Sequence, residues 1–422
     1  MKKSLLAVAA IGAFASAAQA QSSVTVYGIL DVGFQGVTTR GMASSSTSTA
    51  VQSPIGTNAN ANQTRFSGEG AESTSRLGFR GTEDLGGGAS AFFTAEFALV
   101  PTDATLSGNN NNGLFNRQTF VGLKKNGIGQ AAMGTQYTPI HMAVGRTDPG
   151  QQNNMLGNVI YATNASQGSG QTTTSYTVRY NQALTLQTER YAGFQLNAIY
   201  NNNNGTGNNG TAGLINLSAN GTATGAAATG LTTSNNTAWG VGLNYVWQKL
   251  NVDAAYQTSK QTFFVNALTQ PAALPGTATV GLIPPNPLGT SVGQNQTYAG
   301  VTYDFGILKA YAQYINNKVE SNLNGSAYLQ RSAQQIGVRS FITPTIEAWA
   351  SGGTGRFSAG SGITLSATQA TQNFTGYQLG SNYWLSKRTN LYAIYGSTQV
   401  SSTSLNASEG GSSYGLGLRH TF

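Results

Sequence analysis

The stretch that most constrains this chain is its end, S-S-Y-G-L-G-L-R-H-T-F at 412–422. Strand side chains alternate with period 2, so Tyr414, Leu416, Leu418, His420 and Phe422 share one face. Gly415, Gly417, Arg419 and Thr421 take the other. In a soluble protein such a terminal strand would be an exposed apolar edge that invites aggregation. Paired with the first strand of the chain inside a membrane, it has no free edge and turns its apolar face to lipid. Closure of a β-barrel by Tyr414, Leu416, Leu418 and Phe422 is therefore the expectation.

The other end reads as an export signal. Lys2 and Lys3 precede an apolar run at 5–15, and Ala18-Gln19-Ala20 has the small-x-small pattern of a cleavage site. The run is too short to span a bilayer, which takes about 20 apolar residues. The expected division is a signal peptide at 1–20 and one barrel domain at 21–422. Charged residues make up only 9 % of the chain, and no later window is apolar enough for a membrane helix. A polar chain of short alternating segments suits a barrel, because only half of each strand faces lipid. There is no Cys, so neither disulfides nor thiolate metal sites stabilise the fold. Loss of Lys2 and Lys3 takes the formal charge from +8 to about +6. The bases are scattered and form no Lys/Arg run, which argues against nucleic acid as a partner.

Alternating segments are expected as strands at 24–37, 75–81, 90–99, 115–123, 129–137, 173–180, 193–200, 238–247, 250–257, 297–304, 308–316, 332–341, 345–351, 376–385, 390–398 and 412–422. Short turns such as K-K-N-G-I after the fourth strand alternate with long Asn/Gly/Ser/Thr-rich or Pro-rich connections, among them 38–73, 201–236 and 258–295. The reading is a 16-stranded antiparallel transmembrane β-barrel with long extracellular loops and short periplasmic turns, wide enough for an aqueous channel. Tyr245, Trp247, Tyr303, Phe305, Tyr383, Trp384, Tyr392 and Tyr395 near strand ends are expected in interfacial girdles.

Parity sorts the faces. Leu77 and Phe79 belong to lipid, so Arg76, Gly78 and Arg80 face the lumen; a cation at mid-depth in lipid would cost about 2–4 kcal/mol. Phe93, Ala95 and Phe97 outside put Glu96 inside. Tyr176, Val178 and Tyr180 outside put Thr177 and Arg179 inside. Asp31 lies opposite the Leu30/Val32/Phe34 face. Parity leaves the fourth strand open, since Phe120 and Val121 fall on opposite faces. Arg80 and Glu96 also have a plain structural reading, as a cross-strand ion pair.

The segments S-R-L-G-F-R-G-T-E-D-L-G-G-G at 75–88, F-N-R-Q-T-F-V-G-L at 115–123 and M-G-T-Q-Y-T-P at 133–139 resemble strands of Gram-negative general porins, chiefly the β-proteobacterial type. V-T-V-Y-G-I-L-D at 24–31, T-V-R-Y at 177–180 and the terminal Phe422 extend the resemblance along the chain after residue 20, loops excepted. It implies that Arg76 and Arg117 form a basic wall at the narrowest point, and that the connection at 139–171, with His141, Arg146 and Asp148, folds inward as a constriction loop. Thr135 stands where the family usually has a further Arg. The resemblance also implies a homotrimer, with the first and last strands and the connection at 100–114 at the subunit contact. The implied partners are outer-membrane lipid, lipopolysaccharide and the barrel-assembly machinery. With Arg80 and Arg179 beside them, and Glu96, Asp31 and Asp148 as the acids, the charges favour a weakly anion-selective diffusion channel for ions and small hydrophilic solutes.

Other chemistries find few residues. G-x-S-x-G, H-E-x-x-H and P-loop motifs are absent, His141 and His420 are the only histidines, and no cofactor or metal is expected. His141 with Asp148 nearby is the sole catalytic pair that can be named, and it reads as a solvated loop histidine. A solute-specific channel is the nearer alternative and a surface adhesin the more distant one.

Overall fold

The computed structural model describes residues 23–42, 58–107, 113–162, 175–206, 231–265, 291–323, 325–360, 371–402 and 407–422. The expected export signal at 1–20 lies outside them. Seventeen strands form one antiparallel sheet: β1 (Ser23–Met42), β2 (Asn58–Ser67), β3 (Arg76–Gly86), β4 (Ala89–Ala98), β5 (Phe115–Lys125), β6 (Gly129–Tyr137), β7 (Arg179–Thr188), β8 (Phe194–Thr206), β9 (Leu231–Trp247), β10 (Leu250–Val265), β11 (Ser291–Asp304), β12 (Lys309–Ser321), β13 (Tyr328–Phe341), β14 (Ile346–Ala359), β15 (Thr371–Trp384), β16 (Thr389–Ser402) and β17 (Ala407–Thr421). One helix, α1 (Pro139–Thr147), follows β6.

Closure is made as the terminal strand suggests. β17 pairs antiparallel with β1 from Ile29↔Thr421 to Arg40↔Gly410. Phe422 extends the ladder by exchanging backbone hydrogen bonds with Gly28 at 3.1 and 3.2 Å. β2 and β3 occupy a single position on β1, β3 beside Ser23–Ile29 and β2 beside Gly33–Met42. The wall therefore has sixteen strand positions. Leu30, Val32, Phe79, Phe93, Val121, Leu123, Leu416 and Leu418 are exposed on its outer face. Trp247, Tyr303, Phe305, Tyr383 and Tyr395 join them as girdle aromatics.

Several expectations change. β2 lies within the connection expected at 38–73, and strands run well into the other expected loops. β8 reaches Thr206, β10 reaches Val265 and β17 starts at Ala407. Asn- and Thr-rich ends carry little hydrophobic signal, but an existing neighbour strand supplies a hydrogen-bond partner for every backbone group, so the ladder propagates past the apolar band. Two of the expected long connections are consequently short, at 322–327 and 403–406. Tyr392 leaves the girdle for the interior, where it is 4 % exposed and donates to Asp31 Oδ1 at 2.6 Å.

The sixth expected strand is displaced. β7 covers Arg179–Thr188, and Leu184 and Leu186 face outward. Tyr176 and Val178 are buried in an interior cluster with Ile140, Val144 and Ile160. Tyr180 is buried against Ala183, Ile199 and Ala238. Gln182 takes φ 51°, and the β6–β7 register shifts between Gly134 and Gln136. That irregularity breaks the period-2 alternation on which the outward assignment of Tyr176, Val178 and Tyr180 rested. Thr177 and Arg179 are inside as expected, and Gln257 donates to the Thr177 carbonyl at 3.1 Å.

Candidate functional site: an arginine-lined constriction

The connection after β6 begins with Thr138-Pro139, an N-cap followed by proline at the first helical position. Thr138 Oγ1 accepts from the His141 N–H at 3.3 Å. Ile140, Ala143, Val144 and Thr147 then fall on one helical face and are buried. That spacing was readable in the sequence, although the segment was expected as plain loop.

Residues 139–162 lie inside the barrel, tied to inward side chains of β10–β17. Arg146 Nε donates to Asp253 Oδ1 at 2.9 Å, and Thr147 Oγ1 bonds the Tyr298 hydroxyl. Arg339 Nε donates to the Pro149 carbonyl at 3.1 Å, and Arg331 Nη2 to that of Val159 at 2.7 Å. Asn153 and Gln378 exchange amide bonds at 2.9 and 3.0 Å. The Gly157 N–H donates to Thr398 Oγ1 at 3.0 Å. Gly157 has φ +100°, a conformation that favours glycine, and a Cβ on Gly396 would collide with the Leu156 carbonyl. Each tie uses a polar inward residue of the strand wall, which explains why the lumenal faces are rich in Gln and Asn.

Across from this loop stand Arg76, Arg117 and Arg179. Arg117, 4 % exposed, donates through Nε to Glu96 Oε1 at 2.8 Å and through Nη2 to the Tyr137 hydroxyl at 2.9 Å. Arg76 lies 3.8 Å from the same Glu96 oxygen, and Tyr27 donates to Oε2 at 3.2 Å. Ser73 Oγ and the Thr74 carbonyl hold the Arg76 guanidinium at 3.0 and 2.9 Å. Arg179 packs over the Tyr137 ring at 5.0 Å. Arg80 does not pair with Glu96; it is exposed and lies 5.3 Å from the Tyr27 ring centre. Two guanidinium groups thus face one carboxylate, and a third, that of Arg179, stacks on the tyrosine that Arg117 bonds.

The expected acids do not face them as free pore charges. Asp148, 2 % exposed, accepts from Gln152 N at 2.6 Å, from Asn158 at 3.0 Å and from Gln335 at 3.2 Å. Burial pushes its carboxyl above the usual range, and the donors from Gln152 and Asn158 oppose that shift. Asp148 shapes the loop from within. Asp31 is lumenal but fully buried under an inward segment at 68–75, whose Glu72 and Ser73 N–H groups donate to it at 3.1 and 2.7 Å. The same segment packs Ala71 against Met155 of the constriction loop. Sequence reasoning missed this second inward element; its only signal is the small, polar run G-E-G-A-E-S-T-S at 68–75.

His141 is 8 % exposed and not solvated, with Nδ1 3.2 Å from the Tyr176 hydroxyl and 3.1 Å from Gln152 Nε2. Burial, then Arg179, Arg117 and Arg76, holds its pKa well below the ordinary value, so the ring is neutral. Thr135 does not join the basic wall. Its hydroxyl contacts Asn116 at 3.4 Å and Asn181 at 3.3 Å, and its register partner Thr119 shares the face of Val121 and Leu123.

A closed transmembrane β-barrel, narrowed by an inward loop facing an arginine cluster, defines a membrane channel. The chain belongs to the Gram-negative porin family, whose model matches residues 7–403. An outer membrane porin protein of Bordetella pertussis is 29 % identical over the full length of both chains. Outer membrane porin protein 32 of Delftia acidovorans is 39 % identical over 139 residues, 33 % of each chain. Among solved structures, the anion-selective porin from Comamonas acidovorans superposes with a TM-score of 0.60 at 19 % identity, covering 95 % of this chain and all of that one. Salmonella typhi OmpF gives 0.56 at 17 %, over 94 % and 97 %. The protein resides in the outer membrane.

Proposed function

We propose that this porin is a passive, weakly anion-selective diffusion channel for ions and small hydrophilic solutes, and not an enzyme. The observation that carries the selectivity is the imbalance at the constriction. Arg76 and Arg117 pair with Glu96, and Arg179 lies 5.0 Å over the neighbouring Tyr137 ring, so three guanidinium groups gather where Glu96 is the paired acid, while Asp31, Asp148 and Asp253 are each bound to donors of their own. The excess positive charge attracts anions over a Debye length of about 8 Å at physiological salt. Guanidinium groups also offer several donors, so a carboxylate or phosphate can pass between them. The name of the Comamonas acidovorans neighbour supports the same reading.

The test is the zero-current potential of the purified protein in a planar bilayer under a KCl gradient. The expected sign is that of chloride preference, and it should shrink in an Arg76→Ala plus Arg117→Ala double variant. Cation preference in the wild type would overturn the proposal.

The assembly is proposed to be a homotrimer with β1, β17 and the connection near 100–114 at the contact, and residues 1–20 to be the export signal. Disrupting 100–107 should lower the temperature at which the trimer band dissociates in a gel while leaving conductance. Unchanged melting would count against that contact.

A further inference from the structure

Of the three arginines at the constriction, Arg76 is the most open. Arg117 and Arg179 are 4 % and 3 % exposed, whereas the Arg76 side chain keeps 19 % of its surface. Glu96 does not hold it by a hydrogen bond. The approach is 3.8 Å, and that oxygen already accepts from Arg117 at 2.8 Å. The Arg76 donors go to neutral acceptors instead, Nη2 to Ser73 Oγ at 3.0 Å and Nε to the Thr74 carbonyl at 2.9 Å. Both acceptors lie on the inward segment at 68–75, which belongs to no strand. Asp31 on β1 fixes that segment. Its Oδ2 accepts from the Glu72 and Ser73 N–H groups at 3.1 and 2.7 Å, and its Oδ1 accepts from Tyr392 at 2.6 Å. Ser75 Oγ accepts from the Asp31 N–H at 2.9 Å and donates to the Asp31 carbonyl at 3.1 Å. From the other side Asn154 of the constriction loop donates to the Gly70 carbonyl and Thr74 Oγ1 at 2.8 and 3.1 Å. Asp31 is fully buried, and Arg419, its register partner, pairs with Glu72 at 4.0 Å. A buried carboxylate is costly unless its lone pairs are satisfied, and here two of the donors come from the backbone that carries Ser73.

We propose that Asp31 and Ser73 are positioning residues for Arg76, a role that rests on the anion preference stated above. Asp31 fixes the backbone at 72–73, and Ser73 with the Thr74 carbonyl then aims the guanidinium into the pore. A functional side chain keeps its geometry only when the groups that hold it are themselves held, and this pair supplies both levels. The sign of the effect is distinctive. Removing a carboxylate from a pore wall by itself raises chloride preference. Loss of Asp31 lowers it, because Arg76 is released. Asp31 thus serves the anion preference of the channel while offering solutes no open charge of its own.

The test is the chloride-to-potassium permeability ratio, read from the zero-current potential of the purified protein in a planar bilayer under a KCl gradient. Ser73→Ala removes one hydroxyl and no charge. It should bring the ratio roughly half-way down to that of Arg76→Ala, since a guanidinium that swings aside loses much of its influence over a screening length of about 8 Å. Ser73→Thr should restore the wild-type ratio, and Ser73→Ala should add nothing in an Arg76→Ala background. Asp31→Ala should lower the ratio as well; a rise would show that Asp31 acts through its charge and would overturn its role. Should Asp31→Ala fold poorly, the Ser73 series still decides. Equal ratios in wild type and Ser73→Ala, alongside a fall in Arg76→Ala, would overturn the positioning role and leave the anion-selective reading standing. Cation preference in the wild type would sink that reading and this proposal with it.

Discussion

Arg117 is the extra residue of a bulge in β5, and the bulge delivers its guanidinium to Glu96, 2.8 Å away on β4. Glu96 pairs with Gln118 and Phe97 with Asn116, so Arg117 has no register partner between them. Val121 and Leu123 are exposed to lipid, and uninterrupted alternation would put Arg117 on their side. The bulge reverses that. Arg117→Ala leaves Glu96 in a nearly closed site with Arg76 as its remaining cation. The expected loss is about 3–5 kcal/mol of barrel stability, the cost of breaking a buried pair. Urea unfolding in detergent reads this directly.

Glu96→Gln has the opposite electrical effect. It removes the carboxylate that offsets the arginines and keeps an acceptor for Tyr27 and Arg117. Chloride preference in the zero-current potential should rise above wild type. A fall would mean that the arginines depend on Glu96 for their position more than they are neutralised by it.

Arg146 holds the end of α1 to Asp253, which is 1 % exposed and keeps only Asn251 Nδ2, at 3.0 Å, as a further donor to its carboxylate. Arg146→Met should cost about 1–3 kcal/mol, reduced from a fully buried pair because the arginine is 32 % exposed. Single-channel records should show added open-state noise as α1 loosens. Quiet records with unchanged conductance would show that the other ties suffice.

Gly396→Val tests how closely the constriction loop must approach the wall. A side chain there meets the Leu156 carbonyl, so the loop must move toward the lumen. Single-channel conductance should fall while the barrel remains folded, because residue 396 lies in a strand whose ladder a valine can join.

His141 gives a pH dependence with a definite sign. Its pKa is lowered in the folded protein, so below the ordinary value near 6.5 the unfolded chain binds a proton that the folded chain refuses. Its contribution to stability is therefore complete above pH 6.5 and declines by up to about 1.4 kcal/mol per pH unit below it. Melting temperatures at pH 7.5 and 5.5 should differ more for wild type than for His141→Gln. Equal differences would show that the ring does not govern acid sensitivity.

The terminal strand, the parity of Arg76 and Glu96 and the hairpin turns were legible because a lipid-facing wall imposes a two-residue period that any sequence must display. The connections at 248–249 and 305–308 fall where the expected strands at 238–247, 250–257, 297–304 and 308–316 leave them, to within a residue. Strand ends such as Asn202 to Thr206 were not, since beyond the apolar band the ladder is held by backbone bonds and composition no longer reports it. Arg117 was placed in the lumen by resemblance alone. Tyr176, Val178 and Tyr180 went to the wrong side because the irregularity near Gln182 leaves no clear mark in the residue pattern.

By itself the sequence determined which residues can face lipid, how the chain closes, and which cations the interior must hold, because lipid rejects charge and a free strand edge wherever they occur. Only the tertiary structure decided which interior charges remain open to solutes. Asp31, Asp148 and Asp253 point into the barrel as Arg76 does, and what separates them from it, besides the sign of their charge, is what folds over them. That depends on the inward paths of 68–75 and 139–162, whose polar ties to β10–β17 join residues up to several hundred positions apart. The electrical character of a channel rests on charge and on burial together, and burial is a property of the assembled wall.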